Sequence, residues 1–313
     1  MRTRLFIITL MVLLLMVSCK KERMKIPFQE NKYTHIYSPK VDIFPGPSTS
    51  ELKAGVFYTD WVPNDHTFVK AKDGKWHLFG ITHPLTSTQN VHEGEFMAFH
   101  AISKAEDPHS DFIDLPKVLT PDQREGERLE LYAPYIIQKD GLYYMIYSPE
   151  PMRFAISRDL KNWKPQGVLF REEKGARDPN LFFYNGKYYM IYCTEKSIGM
   201  RTSIDLINWS SSQIIFTAYD FEPESPTMVM KDGAFYLFVC GWNGVWDKKE
   251  VQGAYQHRTY VYFSRRVNEF QRAVPITILN AHAPEIFQVD EQWYISSAEW
   301  PNRGVSIDKL NWK

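Results

Sequence analysis

The chain has 313 residues, and its 37 Lys+Arg balance 37 Asp+Glu, so the formal net charge is zero. A chain without a global field has nothing to draw in nucleic acid or an acidic surface. Three cysteines in all exclude a disulfide scaffold, and no Cys/His metal cluster, Gly-rich phosphate loop or nucleophile elbow is present.

In chain order, Arg2 and Arg4 give a basic start, and Leu5 to Val17 is apolar apart from Thr9. That run is shorter than the about 20 residues of a membrane-spanning helix and has the proportions of a signal-peptide core. Ser18-Cys19, followed by Lys20, Lys21, Glu22 and Arg23, resembles a bacterial lipoprotein cleavage site, with Met16 where Leu is usual. Residues 1–18 are therefore expected to be a signal peptide and Cys19 an acylated anchor. Residues 19–55, rich in Pro, Ser and Lys, read as a tether with a strand that helps close the fold. The expected location is the outer membrane of a bacterium. Cys193 and Cys240 lie in apolar strand patterns and read as buried free thiols.

The following elements repeat. Ala133 to Tyr147 reads as a strand, a tight turn at Asp140-Gly141 and a second strand. Asp-Gly between β-rich runs is the strongest short hairpin signal. The unit recurs at Asp178 to Tyr192 around Asn185-Gly186, and at Ser225 to Phe238 around Asp232-Gly233. An earlier copy runs from His66 through Asp73-Gly74 to Phe79, and a later one from Ala283 through Asp290-Glu291 to Ser296. A second motif follows each hairpin. It is clearest at Ala155 to Trp163, close at Thr202 to Trp209 and Ser306 to Trp312, and looser at His100 to Ser103 and Phe263 to Phe270. Each reads as a third strand and a polar turn. Trp163, Trp209 and Trp312 belong to this motif and read as structural. Hairpin, third strand and return strand make a four-stranded antiparallel blade. Residues 56–313 are thus predicted to form an all-β, five-bladed β-propeller around a central channel.

Five segments, each at the head of its own hairpin, resemble the propeller glycosidases of glycoside hydrolase families 43 and 32. Trp61-Val62-Pro63-Asn64-Asp65 is similar to a family 32 signature, with His66 replacing the usual proline. Tyr132-Ala133-Pro134 resembles the aromatic-Ala-Pro of the second blade, and Arg177-Asp178-Pro179 the Arg-Asp-Pro of family 32. Glu224-Ser225-Pro226 resembles the family 43 Glu-Gly-Pro that carries the acid. His282-Ala283-Pro284-Glu285 resembles a fifth-blade motif whose His lies near the axis. The resemblance spans about residues 57 to 313. It implies Glu224 as general acid, Asp178 as a support for the transition state, and Asp65 as general base (family 43) or nucleophile (family 32). No β-sandwich of the kind that follows the propeller in family 32 is read after the fifth unit.

The residues suit this chemistry. Cleaving a glycosidic bond needs one protonated and one ionised carboxyl group at once. Asp65, Asp178 and Glu224 stand, to within one residue, at the entrance of the first strand in blades one, three and four. Equivalent positions in a ring face one opening. Trp61, Asn64, Tyr132, Arg177 and His282 are the candidate substrate-binding residues. Glu222 is close enough to Glu224 to take the acid role, and Glu130 and Glu285 lie near strand entrances. Trp242 and Trp246, on either side of Gly244, read as rim or packing residues. The expectation is a glycoside hydrolase of the family 43 arabinofuranosidase or xylosidase type. The alternatives are a retaining fructosidase of the family 32 type and a glycan-binding lipoprotein without activity. No cofactor is expected for catalysis. A divalent cation such as calcium in the central channel, held by His282 through water, is the one metal implied. The expected partners are an oligo- or polysaccharide and the membrane through the lipid anchor only, for a monomer.

Overall fold

The turns show why this sequence folds into blades. Asp140-Gly141 (φ 50° and 79°), Asn185-Gly186 (46° and 75°) and Asp232-Gly233 (49° and 71°) place both central residues in the left-handed region. That is the type I′ geometry, whose twist matches the strands it joins. The first copy has positive φ at Gly74 but not at Asp73, and in the last copy Asp290 alone takes it.

A computed structural model describes residues 23–86, 93–242 and 257–313. Five antiparallel blades follow one another along the chain. Blade 1 comprises Trp61–Lys70, Trp76–Pro84, Met97–Ser103 and Phe112–Val118. Blade 2 comprises Tyr132–Lys139, Leu142–Ser148, Met152–Ser157 and Lys164–Phe170. Blade 3 comprises Arg177–Tyr184, Lys187–Thr194, Ser197–Ser203 and Gln213–Thr217. Blade 4 comprises Glu222–Lys231, Ala234–Trp242, Arg258–Ser264 and Thr277–Asn280. Blade 5 takes Ile286–Val289, Gln292–Ala298 and Val305–Trp312 from the end of the chain. Its outer edge comes from the start: Pro27–Gln29 and Thr34–Tyr37 both pair with Val305–Trp312. Residues 27–37 therefore close the ring. The last copy of the second motif differs for the same reason, because Ser306 to Trp312 runs as one straight strand between these partners.

The second motif is a side-chain-capped turn. Ser157 Oγ accepts the N–H groups of Asp159 and Leu160, and Asp159 Oδ1 accepts those of Lys161 and Asn162. Trp163 donates its indole N–H to the Leu160 carbonyl. Ser203, Asp205, Leu206 and Trp209 repeat every element of this pattern. The turn drives Leu160 and Leu206 into the blade cores, where they are 1% and 0% exposed. Leu160→Ala is expected to destabilise the protein by about 2–5 kcal/mol, the usual cost of emptying a leucine site. Urea unfolding checks this.

Blades pack face to face through apolar clusters. One joins Met200 and Phe216 of blade 3 to Met228 and Leu237 of blade 4. Another joins Ile36 and Tyr37 to Phe99 of blade 1 and Ile307 of blade 5, and so seals the seam where the ring closes. A short hairpin, Asp42–Ile43 with Phe57–Tyr58, lies beside blade 1, where Phe44 and Leu52 pack with Trp61 and Phe96. Among the described residues the only helical turn is Pro121–Arg124, and no helix is long and apolar enough to cross a membrane.

Candidate active site

The first strand is interrupted near its start in blades 1 to 4, and in blade 5 it begins only at Ile286. Pairing slips between Asn64 and His66, between Arg177 and Asn180, and between Glu224 and Thr227. In blades 2 to 5 the residue at the equivalent repeat position precedes a proline and is left-handed: Ala133 (40°), Asp178 (56°), Ser225 (42°) and Ala283 (45°). Non-glycine residues rarely hold such φ values, and they concentrate at functional sites. A bulge also bends the strand and re-aims its side chains.

These residues meet at the axis. Asp65-His66, Ala133-Pro134-Tyr135, Asp178-Pro179-Asn180, Ser225-Pro226-Thr227 and Ala283-Pro284-Glu285 line one pocket with about 290 Å³ of empty space.

The carboxylates form one connected network. Arg177 pairs with Asp178, reaches Glu222 Oε1 at 3.1 Å and Glu224 Oε1 at 3.6 Å, and donates to the Pro223 carbonyl. Burial alone would push its guanidinium down, but Asp178, Cys193, Glu224 and Glu222 outweigh that and hold it well above its ordinary value. Asp178 Oδ2 also accepts the Ser225 backbone N–H at 3.2 Å. The Ser225 hydroxyl donates to Asp65 Oδ1. Asp65, Asp178 and Glu224, from three blades, are thus linked through Ser225 and Arg177. Burial, then the charges of Asp178, Glu224 and Glu95, raise the Asp65 carboxyl well above the carboxylate range, and the Ser225 hydroxyl works the other way.

Residues 130–300 match the family model described as "Glycosyl hydrolases family 43". The chain belongs to this family. The solved structures it is similar to share its propeller. They include an exo-1,5-alpha-L-arabinanase from a bovine ruminal metagenomic library (TM-score 0.58, 17% identity, 80% of this chain and 92% of that one). The native arabinanase of Bacillus subtilis gives a TM-score of 0.59 at 16% identity over 80% of this chain and 94% of that one. At these identities the likeness establishes the fold alone. A 1,2-beta-oligomannan phosphorylase of Thermoanaerobacter sp. (strain X514) is 31% identical over 144 residues, 41% of this chain. The match spans about half of that protein, 48% of its length.

In this family 43 chain, other candidate positions fall inside and outside the pocket. Tyr132 is half-buried, its hydroxyl pushed up to about 12 by burial, Glu95 and Glu130. Asn64 is also half-buried, with a side-chain oxygen that has no partner among the described residues. Trp61 is a correction. It is 3% exposed, its indole N–H goes to the Tyr58 carbonyl, and the Lys117 ammonium lies 4.4 Å over its ring. It packs the hairpin onto blade 1 and offers no face to a sugar. His282 is a second correction. It does not line the pocket; it is buried in the wall, with Nδ1 at the Ala298 carbonyl and its backbone N–H on Ser297. Burial lowers it to about 3, so it is neutral. No group of three His, Cys, Asp or Glu is placed to hold a metal ion among the described residues. The donor set therefore does not fit a directly ligated cation. Glu130 points to Arg128 (2.9 Å), whereas Glu285 does line the pocket. The Trp242 side chain, Trp246, Cys19 and the apolar segment before it lie outside the described residues.

Sequence reasoning missed Ser225 and Glu95. Ser225 occupies the same repeat position as Asp178, which is the signal that could have found it. Glu95 lies in the connection between the second and third strands of blade 1, and nothing local marks it. The structure buries it where its charge bears on both Asp65 and Tyr132.

Proposed function

We propose that the protein is a glycoside hydrolase that releases pentose units, arabinofuranosyl or xylosyl, from the ends of short or branched glycans. The observation that carries this reading is the linkage of Asp65, Asp178 and Glu224 through Ser225 and Arg177, with Asp65 and Asp178 lining the axial pocket. Glu224 donates a proton to the leaving oxygen. Ionised Asp65 takes a proton from the water that attacks the anomeric carbon from the opposite face, which inverts configuration. Asp178, held by Arg177, faces the positive charge that develops on the sugar. The arabinanases among the similar structures, and a beta-xylosidase of TM-score 0.60 and 13% identity, support the sugar class.

Phosphorolysis is the second reading, because of the likeness to the oligomannan phosphorylase. The pocket's charge opposes it. A phosphate anion would enter beside Asp65, Asp178 and Glu285, which line the pocket, and the nearby Arg177 is already shared by Asp178, Glu222 and Glu224. Aryl arabinofuranoside, xyloside, fructoside, galactoside and mannoside are to be tested with and without inorganic phosphate. Turnover of a pentoside independent of phosphate is expected. Turnover that requires phosphate favours the second reading. Turnover of the fructoside alone favours a family 32-like activity. Glycan binding without any turnover points to a lectin-like role.

Arg2, Arg4 and the run Leu5 to Val17 before Ser18-Cys19 support export and acylation at Cys19. In this reading the enzyme is a monomer tethered to the outer membrane, with no nucleic-acid partner. Fatty-acid labelling of the wild type and not of Cys19→Ala is the expected result; equal labelling rejects the anchor.

A further inference from the structure

Blade 1 breaks the pattern of the ring at one position. In blades 2 to 5 the repeat position equivalent to His66 is Pro134, Pro179, Pro226 or Pro284, whose ring restricts the backbone. In blade 1 that position is His66, and the residue before it, Asp65, is not left-handed. A different device holds the backbone here. His66 is 5% exposed, and its Nε2 lies 2.7 Å from Ser296 Oγ, across the seam between blade 5 and blade 1. The edge of Phe68 packs against its ring with centroids 5.7 Å apart. Ser296 is fixed in turn, since it accepts the Glu285 backbone N–H at 3.0 Å. Gly80, opposite the bulge, completes the arrangement. A Cβ there would lie 2.7 Å from the Asn64 carbonyl oxygen and 2.8 Å from that of Asp65.

We propose that His66 is the positioning residue for Asp65: its hydrogen bond to Ser296 does in blade 1 what proline does in the other four. This rests on the hydrolase reading only for its kinetic test. The buried Nδ1 has no partner among the described residues. An unpaired nitrogen lone pair is cheaper than an orphaned N–H. The network therefore assigns the proton to Nε2, donating to Ser296. Burial holds the ring neutral, with its titration lowered to about 3.

The test uses His66→Ala, His66→Gln and Ser296→Ala. On the pentoside that turns over, His66→Ala and Ser296→Ala are each expected to lower kcat about 10- to 100-fold with KM nearly unchanged, as for a displaced reacting group. The His66→Ala/Ser296→Ala double variant is expected to lose less than the product of the two single losses, because both remove the His66–Ser296 bond, while Ser296→Ala also frees the Glu285 N–H. His66→Gln, whose amide reaches Ser296, is expected to recover most of kcat. A second readout needs no substrate: the carboxyl ¹³C titration of Asp65, assigned by its loss in Asp65→Asn. Its midpoint is expected to move by about 0.5 pH or more in Ser296→Ala and to stay near wild type in His66→Gln. Ser296→Ala removes one oxygen and keeps the test valid where the His66 variants fail to fold. A folded His66→Ala with wild-type kcat, or an Asp65 titration indifferent to Ser296→Ala, overturns the proposal. Failure of every glycoside with a shifted Asp65 titration would reject the hydrolase reading and leave this one standing.

Discussion

Replacing Glu224 by Gln is expected to lower kcat on an aryl pentoside by roughly 10²–10⁴-fold, the usual worth of a positioned general acid. The amide keeps the size of the side chain and loses only the proton it gives. The loss should therefore depend on the leaving group. A dinitrophenol departs with little help and should suffer least; a methyl or sugar leaving group should suffer most. Glu222→Gln is the necessary control, since Glu222 and Glu224 both approach Arg177, at 3.1 and 3.6 Å. Glu222 has the more exposed side chain, 41% against 15%, and its replacement is expected to cost less than tenfold. The opposite order would transfer the acid role to Glu222.

Asp65→Asn is expected to abolish measurable turnover and to raise the Tm at neutral pH. The first effect follows from losing the base. The second follows from linkage. The folded state holds the Asp65 proton more tightly than the unfolded chain does, because of burial and of Asp178, Glu224 and Glu95. Below about pH 4, the unfolded carboxyl range, both states keep the proton and Asp65 carries no penalty. As pH rises through that range the unfolded chain ionises first, and stability falls until the folded carboxyl ionises too. Asparagine escapes this penalty, so the gap in Tm should open as pH rises from 4 to 7 and close on acidification. A Tm gap independent of pH would place Asp65 outside the charged cluster. The same shift predicts that the acidic limb of kcat/KM lies above the ordinary carboxylate range. Ser225→Ala should push it higher still, because the Ser225 hydroxyl favours the ionised form.

The blade repeat was legible because its signals are local. Asp140-Gly141 and Asp232-Gly233 encode their turn in two residues, and Ser157 to Trp163 encodes a cap in seven. The three acids were legible because a ring makes equivalent positions converge. What failed depends on long-range partners. An aromatic near an acid, such as Trp61, looks the same in sequence whether its ring meets a sugar or a core; Lys117 and Phe96 decide it. His282 holds the repeat position of Tyr132, Arg177 and Glu224, yet Ala298 and Ser297 of its own blade draw it into the wall. The Ser225–Asp65 and His66–Ser296 bonds join residues 160 and 230 apart, which no local pattern records. His66 read as a flaw in a motif; across the seam it has a partner.

If these carboxylates run a single inverting displacement, the anomeric configuration of the newly released sugar records it. Early-time ¹H NMR of the hydrolysed pentoside tests it most directly. The predicted result is a free sugar that first appears with the inverted anomeric configuration, before mutarotation, and does not appear with Glu224→Gln. A sugar that first appears with the substrate's own configuration contradicts the account, because attack would then pass through a covalent intermediate and Asp65 would be the nucleophile.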